Sequence, residues 1–225
     1  MAESARSASP VGKRRGEESM ARYSPPFSPE DKAALAPPPP YHVAHNVIQV
    51  LFRAEPAALR RLLPEPLAPG EMPDVAVAAV LDAVFTWGTE DRRLPPEFQQ
   101  CLEAFLIIPC RANDRAGKYF AAVYVDRDWI FAAAHYVGMP GKLARIQLTR
   151  LHPLHRSLNR PRPGLRMDGL VERAGQRVMA LSVQLGRMVP QENLPFSSAH
   201  YENFGLRQYP GVEGAPGYRE AVVVE

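Results

Sequence analysis

The chain has 225 residues, with 27 basic and 24 acidic side chains, a formal net charge of +3 and a sequence pI near 9.0. That is one ordinary domain with some tail, or at most two very small ones. A balance this mild argues against nucleic acid, no apolar run approaches the roughly 18–20 residues that span a bilayer, and Met1 to Pro10 lack the apolar core of a secretory signal, so a soluble cytoplasmic protein is expected.

Residues 1–40 differ from the rest: they hold eight of the 24 prolines and end in the run Pro37 to Pro40. Four consecutive prolines favour an extended spacer and cannot join a central strand, so 1–40 reads as a disordered, proline-rich tail and 41–225 as the folded domain. HNVIQVLFRA is strand-like. Glu55 to Leu63 carries an early proline and leucines at helical spacing, a short helix stopped by Pro64 and Pro66. Asp74 to Trp87 is a long, largely buried strand rich in valine and alanine. TEDRRLPPE is a polar loop, CLEAFLIIP the next strand, ANDRAG a turn and KYFAAVYV another strand.

Asp128 suits the start of a short helix to Tyr136 that closes at Gly138. A Pro140-Gly141 turn leads into one strand, KLARIQLTRL, and HPLHRSLNRPRPG is a basic connection. RMDGLVERAGQRVMALSVQLG reads as a hairpin turning at Ala174-Gly175, and NFGLRQY and REAVVVE are the last strands. The fold class is β-rich α+β, a barrel or two packed sheets with a few short helices. Cys101 and Cys110 bracket one strand. Roughly 30 Å of extended chain keeps them from bridging, which fits a reducing compartment.

Glu103 shares a strand face with Phe105 and Ile107, while Leu102, Leu106 and Ile108 point the other way. Neither face is polar, so the carboxyl either sits in an apolar environment that raises its pKa toward neutral, suiting proton transfer, or forms a structural ion pair with an arginine. Lys142 alternates with Ala144, Ile146 and Leu148. It is either a desolvated, nucleophilic amine at a barrel mouth or a lysine snorkelling to solvent at a strand end. His45 and His135 suit binding a carboxylate or relaying a proton, or are satisfied structural residues. His152 and His155 have a spacing that metal sites use, but no third ligand accompanies them, and neither a metal nor a cofactor is expected. The Asp126–Arg127–Asp128 turn reads as solvated. GxSxG, P-loop and GxGxxG motifs are absent.

In order, LFRAEPAALRRLLPEPL, CLEAFLIIPC, GKYFAAVYVDRDWIFAAAHYVGMPGKLA and NFGLRQYPGVEGAPGYREAVVVE resemble the acetoacetate decarboxylase family from about Tyr41 to the C-terminus. The resemblance implies a β-barrel or β-cone that forms a homo-oligomer around a cavity. It also implies a lysine that forms a Schiff base with a β-keto acid, whose pKa a neighbouring lysine lowers. The departures are specific. The nucleophile position of the family's Pro-Lys-Lys-Leu turn is Gly141, and only the second lysine remains, as Lys142. The carboxylate-holding arginine of the first strand aligns with His45, and an Arg-Glu pair of the short helix falls at Ala134 and His135. Family members also continue past the strand matching REAVVVE.

The expectation is therefore a divergent acetoacetate-decarboxylase-like lyase on a keto acid or other carbonyl compound. Its chemistry would be C–C cleavage or formation, dehydration or cyclisation, of the kind used in secondary metabolism. Lys142 and Glu103 would be its catalytic groups, and His45, His135 and Gly141 its substrate-binding positions. The alternative is a non-catalytic barrel that binds a hydrophobic small molecule.

Overall fold

The computed structural model describes residues 24–26, 33–37, 39–87, 94–190, 201–213 and 217–224. The chain divides into two units, Met1–Pro38 and Pro39–Glu225. In the first, the hydroxyl of Ser24 donates to the Ala36 carbonyl at 2.9 Å and accepts the Ala36 N–H at 2.8 Å. The remainder of the expected tail, and most of the TEDRRLPPE loop, lie outside the described residues.

The second unit is built mainly of strands: β1 Tyr41–Arg53, β2 Ala68–Pro69, β3 Val75–Trp87, β4 Gln100–Ala112, β5 Arg115–Val125, β6 Gly141–Leu143, β7 Arg145–Leu148, β8 Arg166–Arg173, β9 Gln176–Gln184, β10 Glu202–Tyr209 and β11 Tyr218–Val224. Among the described residues two helices interrupt them, α1 Pro56–Leu62 and α2 Asp128–Tyr136, with a 3-10 turn at Pro96–Phe98. The main sheet runs β1-β3-β4-β5-β10-β11, with β2 on β4 and β6 on β5, and a second sheet runs β7-β8-β9. Among the described residues neither sheet closes on itself. The expected barrel is thus an open, mixed main sheet with a smaller sheet packed on it.

Alternation along β3 and β4 sorts the core into layers. One face of the main sheet carries Val75, Val77, Phe105, Ile107, Val123 and Val125, and α2 packs there through Ile130 and Phe131. On the other face α1 covers one end, with Leu59 and Leu63 against Ala76, Ile108 and Cys110. The small sheet covers the other end, with Ile146 and Val171 against Val80 and Ala104. The contact is close at Gly169, where a Cβ would lie 2.9 Å from that of Val80. Coverage of both faces is why β3 reads as a continuous apolar run rather than an alternating one.

α2 ends as its sequence predicts. The Gly138 N–H donates to the His135 carbonyl and the Met139 N–H to the Ala134 carbonyl, the paired bonds of a Schellman ending, with Gly138 at φ +76°. The β8–β9 hairpin turns through Ala174 and Gly175, both at positive φ, as a type I′ turn demands.

The expected single strand KLARIQLTRL is two strands in different sheets. β6 pairs parallel with β5 through Gly141–Leu143, and after Ala144 the chain enters β7 of the small sheet.

Candidate active site

Glu103 lies on β4 opposite Leu81 of β3 and Val125 of β5. It therefore shares the α2-bearing face, and its flanking strands offer it only apolar side chains. It is half-buried, and desolvation pushes its carboxyl up to about 7. Two groups modulate that value. The Cys101 thiol donates to Glu103 Oε1 at 3.3 Å, favouring the ionised form, while the negative charge of Asp126 disfavours it. No arginine pairs with this carboxyl among the described residues, so the ion-pair alternative finds no partner there.

Asp126 is part of the scaffold, not the solvated turn expected of it. Its carboxylate accepts the Leu102 N–H at 2.7 Å and its own N–H donates to the Leu102 carbonyl at 3.1 Å, which stitches the start of α2 to β4 beside Glu103. Trp129, on the first turn of α2, is fully buried edge-on between Phe85 and Phe98.

Gly141 and Lys142 fall on opposite sides of the main sheet. Gly141 pairs with Val123, and a Cβ built on it would point at Phe131 and Ala134 of α2, 3.5 and 3.6 Å away in ordinary contact. Lys142 pairs with Tyr124, whose ring packs with the cluster between the two sheets, and the lysine itself is exposed. The pairing of Lys142 with Glu103 expected from sequence is therefore not built. The apolar alternation Lys142, Ala144, Ile146, Leu148 is real, but its apolar members lie between the two sheets, and the lysine at its head reaches solvent. Gly141 is the position on Glu103's face. Two strand spacings of about 4.8 Å and one same-face step of about 6.8 Å put their Cα atoms ~12 Å apart.

His45 pairs with Ala83, which pairs with Cys101, so it shares Glu103's face two strands away, on the exposed strand β1. Partial burial of its ring lowers its pKa and nearby Asp82 works against that. His135 is exposed near the end of α2, its ring 4.6 Å from that of Phe131. The structure thus gathers Glu103, Gly141 and His45 on one face, with His135 at the rim of the helix that covers it. His152 and His155 turn their Nδ1 atoms to the backbone N–H groups of Leu154, Ser157 and Leu158. No cluster of three or more metal-ligating side chains occurs among the described residues.

Sequence reasoning weighed Cys101 only as half of a disulfide; both cysteines are free and buried. It also passed over Lys118. This lysine pairs with Pro109 and, across a parallel ladder, with Asn203, on the α2-bearing face, and burial lowers its pKa. The signal for both was their phase: Cys101 two residues from Glu103, Lys118 two from Phe120. A cavity of about 270 Å³ lies at the far end of β4, bounded by Gly70, Pro109, Asn113 and Tyr201, and a wider cleft of about 630 Å³ is lined by Leu143, Arg145, Glu172 and Arg173. Glu103 lines neither.

The family model described as Acetoacetate decarboxylase (ADC) matches residues 24–225. The chain belongs to the acetoacetate decarboxylase family. No curated protein matches it significantly. Among solved structures, the enduracididine biosynthesis enzyme MppR, complexed with the condensation product of pyruvate and imidazole 4-carboxaldehyde, is 27% identical with a TM-score of 0.79, over 97% of this chain and 78% of that one. An acetoacetate decarboxylase-like enzyme from Sphingomonas wittichii RW1 is 26% identical, TM-score 0.79, over 89% and 76%. Acetoacetate decarboxylase from Legionella pneumophila, at 14% identity and a TM-score of 0.66 over 95% and 77%, shares the fold. This acetoacetate decarboxylase family member thus keeps the scaffold, and the sequence resemblance puts Glu103 on the family's Glu-bearing strand and Gly141 at its nucleophile position. No helix among its described residues is long and apolar enough to cross a membrane.

Proposed function

We propose that this chain is an acetoacetate-decarboxylase-like enzyme acting on a keto acid or another small carbonyl compound, with Glu103 moving a proton at the carbon beside the carbonyl. The observation that carries this reading is the Glu103 carboxyl at about 7 on an apolar face of the family scaffold. A carboxyl with that value is divided between acid and base at neutral pH, so one residue can remove a proton from carbon and return it. Proton removal beside a carbonyl yields an enolate. That intermediate leads to C–C bond formation with a second carbonyl, and the resulting alcohol can then lose water. The same group can protonate the carbanion left by a C–C cleavage. The pyruvate-derived condensation product bound by MppR supports a keto-acid substrate class.

The substrate would lie beside Glu103 on the α2-bearing face, with His45 two strands away on one side and Gly141 two strands away on the other. Lys142, on the other side of the sheet, is outside this arrangement, so the reaction does not run through an imine on that residue. Borohydride trapping with pyruvate or acetoacetate, followed by intact-mass spectrometry, tests this. The expected result is no adduct that depends on Lys142. An adduct lost in Lys142→Ala would overturn it, and one mapped to Lys118 would move imine chemistry to the desolvated lysine.

The vacant nucleophile position also favours a second reading, a non-catalytic protein that binds an apolar small molecule. Tight binding of a carbonyl-free ligand, with no turnover of any keto acid, would select it.

Self-association belongs to the same proposal. Among the described residues β1 pairs only with β3, which leaves its other edge open there, and Val43, Val47 and Leu51 form an exposed stripe on one face. Antiparallel pairing of two copies of β1 centred on Val47 would set Val43 opposite Leu51, an apolar row complementary to itself.

A further inference from the structure

We infer that Cys101 is a positioning residue for Glu103: its thiol holds one carboxylate oxygen in place and favours the ionised, proton-accepting form. The inference rests on the reading of Glu103 as the proton-transfer group. Residues 101 and 103 are two apart on β4, so their side chains stand on the same face, and Sγ lies 3.3 Å from Oε1. This is the one hydrogen bond to the Glu103 side chain among the described residues.

The direction of the bond is settled by the thiol's surroundings. Cys101 is buried, and burial together with the charges of Glu103 and Asp126 drives its pKa far above the usual thiol range, with Arg127 pulling weakly the other way. The sulfur therefore keeps its hydrogen at any working pH, so the thiol donates and the carboxylate accepts. A donor aimed at the charged form opposes the desolvation and the Asp126 repulsion that push the carboxyl up. Without it, a smaller share of Glu103 would be ionised at neutral pH and available as a base.

Other titratable groups around this face are accounted for. Asp126 is bound to the β4 backbone, Asp128 accepts the N–H of Trp129 in its own helix, His135 is exposed with its ring edge-on to Phe131, His45 stands two strands away, and Lys118 lies seven residues along β5 from Val125, the residue opposite Glu103. Cys110, on the same strand, provides an internal comparison. It is equally buried, but on the opposite face, among Leu59, Leu63 and Ile108, and desolvation alone raises its pKa, to about 12.

The test is a carbon-13 NMR titration of the glutamate side-chain carboxyls in wild type, Cys101→Ala, Cys101→Ser and Cys110→Ala, with Glu103→Gln identifying the signal. Cys101→Ala should move the Glu103 midpoint upward by about half a unit or more, a roughly threefold lower ratio of carboxylate to acid and about half the carboxylate near neutral pH. Cys101→Ser, which keeps a donor, should hold it at or below the wild-type value, and Cys110→Ala should leave it in place. If Cys101→Ala does not fold, Cys101→Val, similar in size and without a donor, takes its place. An unmoved midpoint in the donor-free variant, or a serine variant that behaves like it, overturns the inference. The pH profile of proton exchange into pyruvate separates this result from the broader reading. If the carboxyl titration moves and the exchange profile does not, the thiol–carboxyl pair stands and the role of Glu103 in turnover fails.

Discussion

At the scale of single residues the account turns on one raised carboxyl, which has a stability consequence of definite sign. The Glu103 pKa is about 7 in the folded chain against a reference of 4.5. Between those values the unfolded chain releases this proton while the folded chain keeps it, so this group's contribution favours folding below about pH 4.5 and is lost as pH rises through 7. Glu103→Gln removes the burden of a buried carboxylate. It should therefore raise stability above pH 7, by on the order of 3 kcal/mol at most, with the gain vanishing toward pH 4.5. Urea unfolding at pH 5 and pH 8 checks this, and an equal effect at both would show that the carboxyl is not desolvated. Glu103 itself was legible in the sequence, because a lone charge on a strand apolar on both faces is conspicuous. Its hydrogen-bond donor was not, because a cysteine in an apolar strand reads as one more small hydrophobe. Neither was the role of Asp126, since nothing local says that a carboxylate in a DRD turn will reach back to a β4 amide.

Elements were easier to read than their relations. The long β3, the Glu-bearing β4, both short helices and the Ala174-Gly175 hairpin follow from alternation, proline placement and turn chemistry. Strand direction and partner do not, and they decide where side chains go. Alternation correctly grouped Lys142 with Ala144, Ile146 and Leu148. Only the parallel register of β6 with β5, and the switch of sheets at Ala144, show that this face lies on the side where the two sheets meet. A one-residue phase relation therefore separates Gly141, on the α2 side, from Lys142, on the other.

The placement of α2 rests on the Gly138 turn against β10. At φ +76° a side chain is strained, and a Cβ there would also lie 2.6 Å from the Leu206 nitrogen. Gly138→Ala should cost at least about 2 kcal/mol and loosen α2 from the face that carries Glu103. Chemical denaturation measures the first effect, and faster amide exchange along α2 than along β3 reports the second. A neutral substitution would show that the helix ending tolerates another geometry.

For the molecule as a whole, the succession of strand-like segments and polar turns correctly led to a β-rich fold, and the spaced motifs led to the family. Closure was overestimated: among the described residues the main sheet stays open at β1 and at β11. An open edge of 13 residues with an apolar stripe is a ready template for a second chain. Val47→Lys would set two like charges face to face at the centre of a paired β1 edge. Light scattering after size exclusion should show the wild type as an oligomer and Val47→Lys as a smaller species. An unchanged mass would place any contact between subunits elsewhere.

The central claim is that Glu103, not Lys142, moves a proton beside a substrate carbonyl. Its most direct test is deuterium exchange into pyruvate and acetoacetate in heavy water, followed by proton NMR. The account predicts that the wild type accelerates loss of the protons beside the carbonyl, that Glu103→Gln lowers this at least ~100-fold, within the range for loss of a general base, and that Lys142→Ala retains it. Exchange that survives Glu103→Gln, or that disappears in Lys142→Ala, would contradict it.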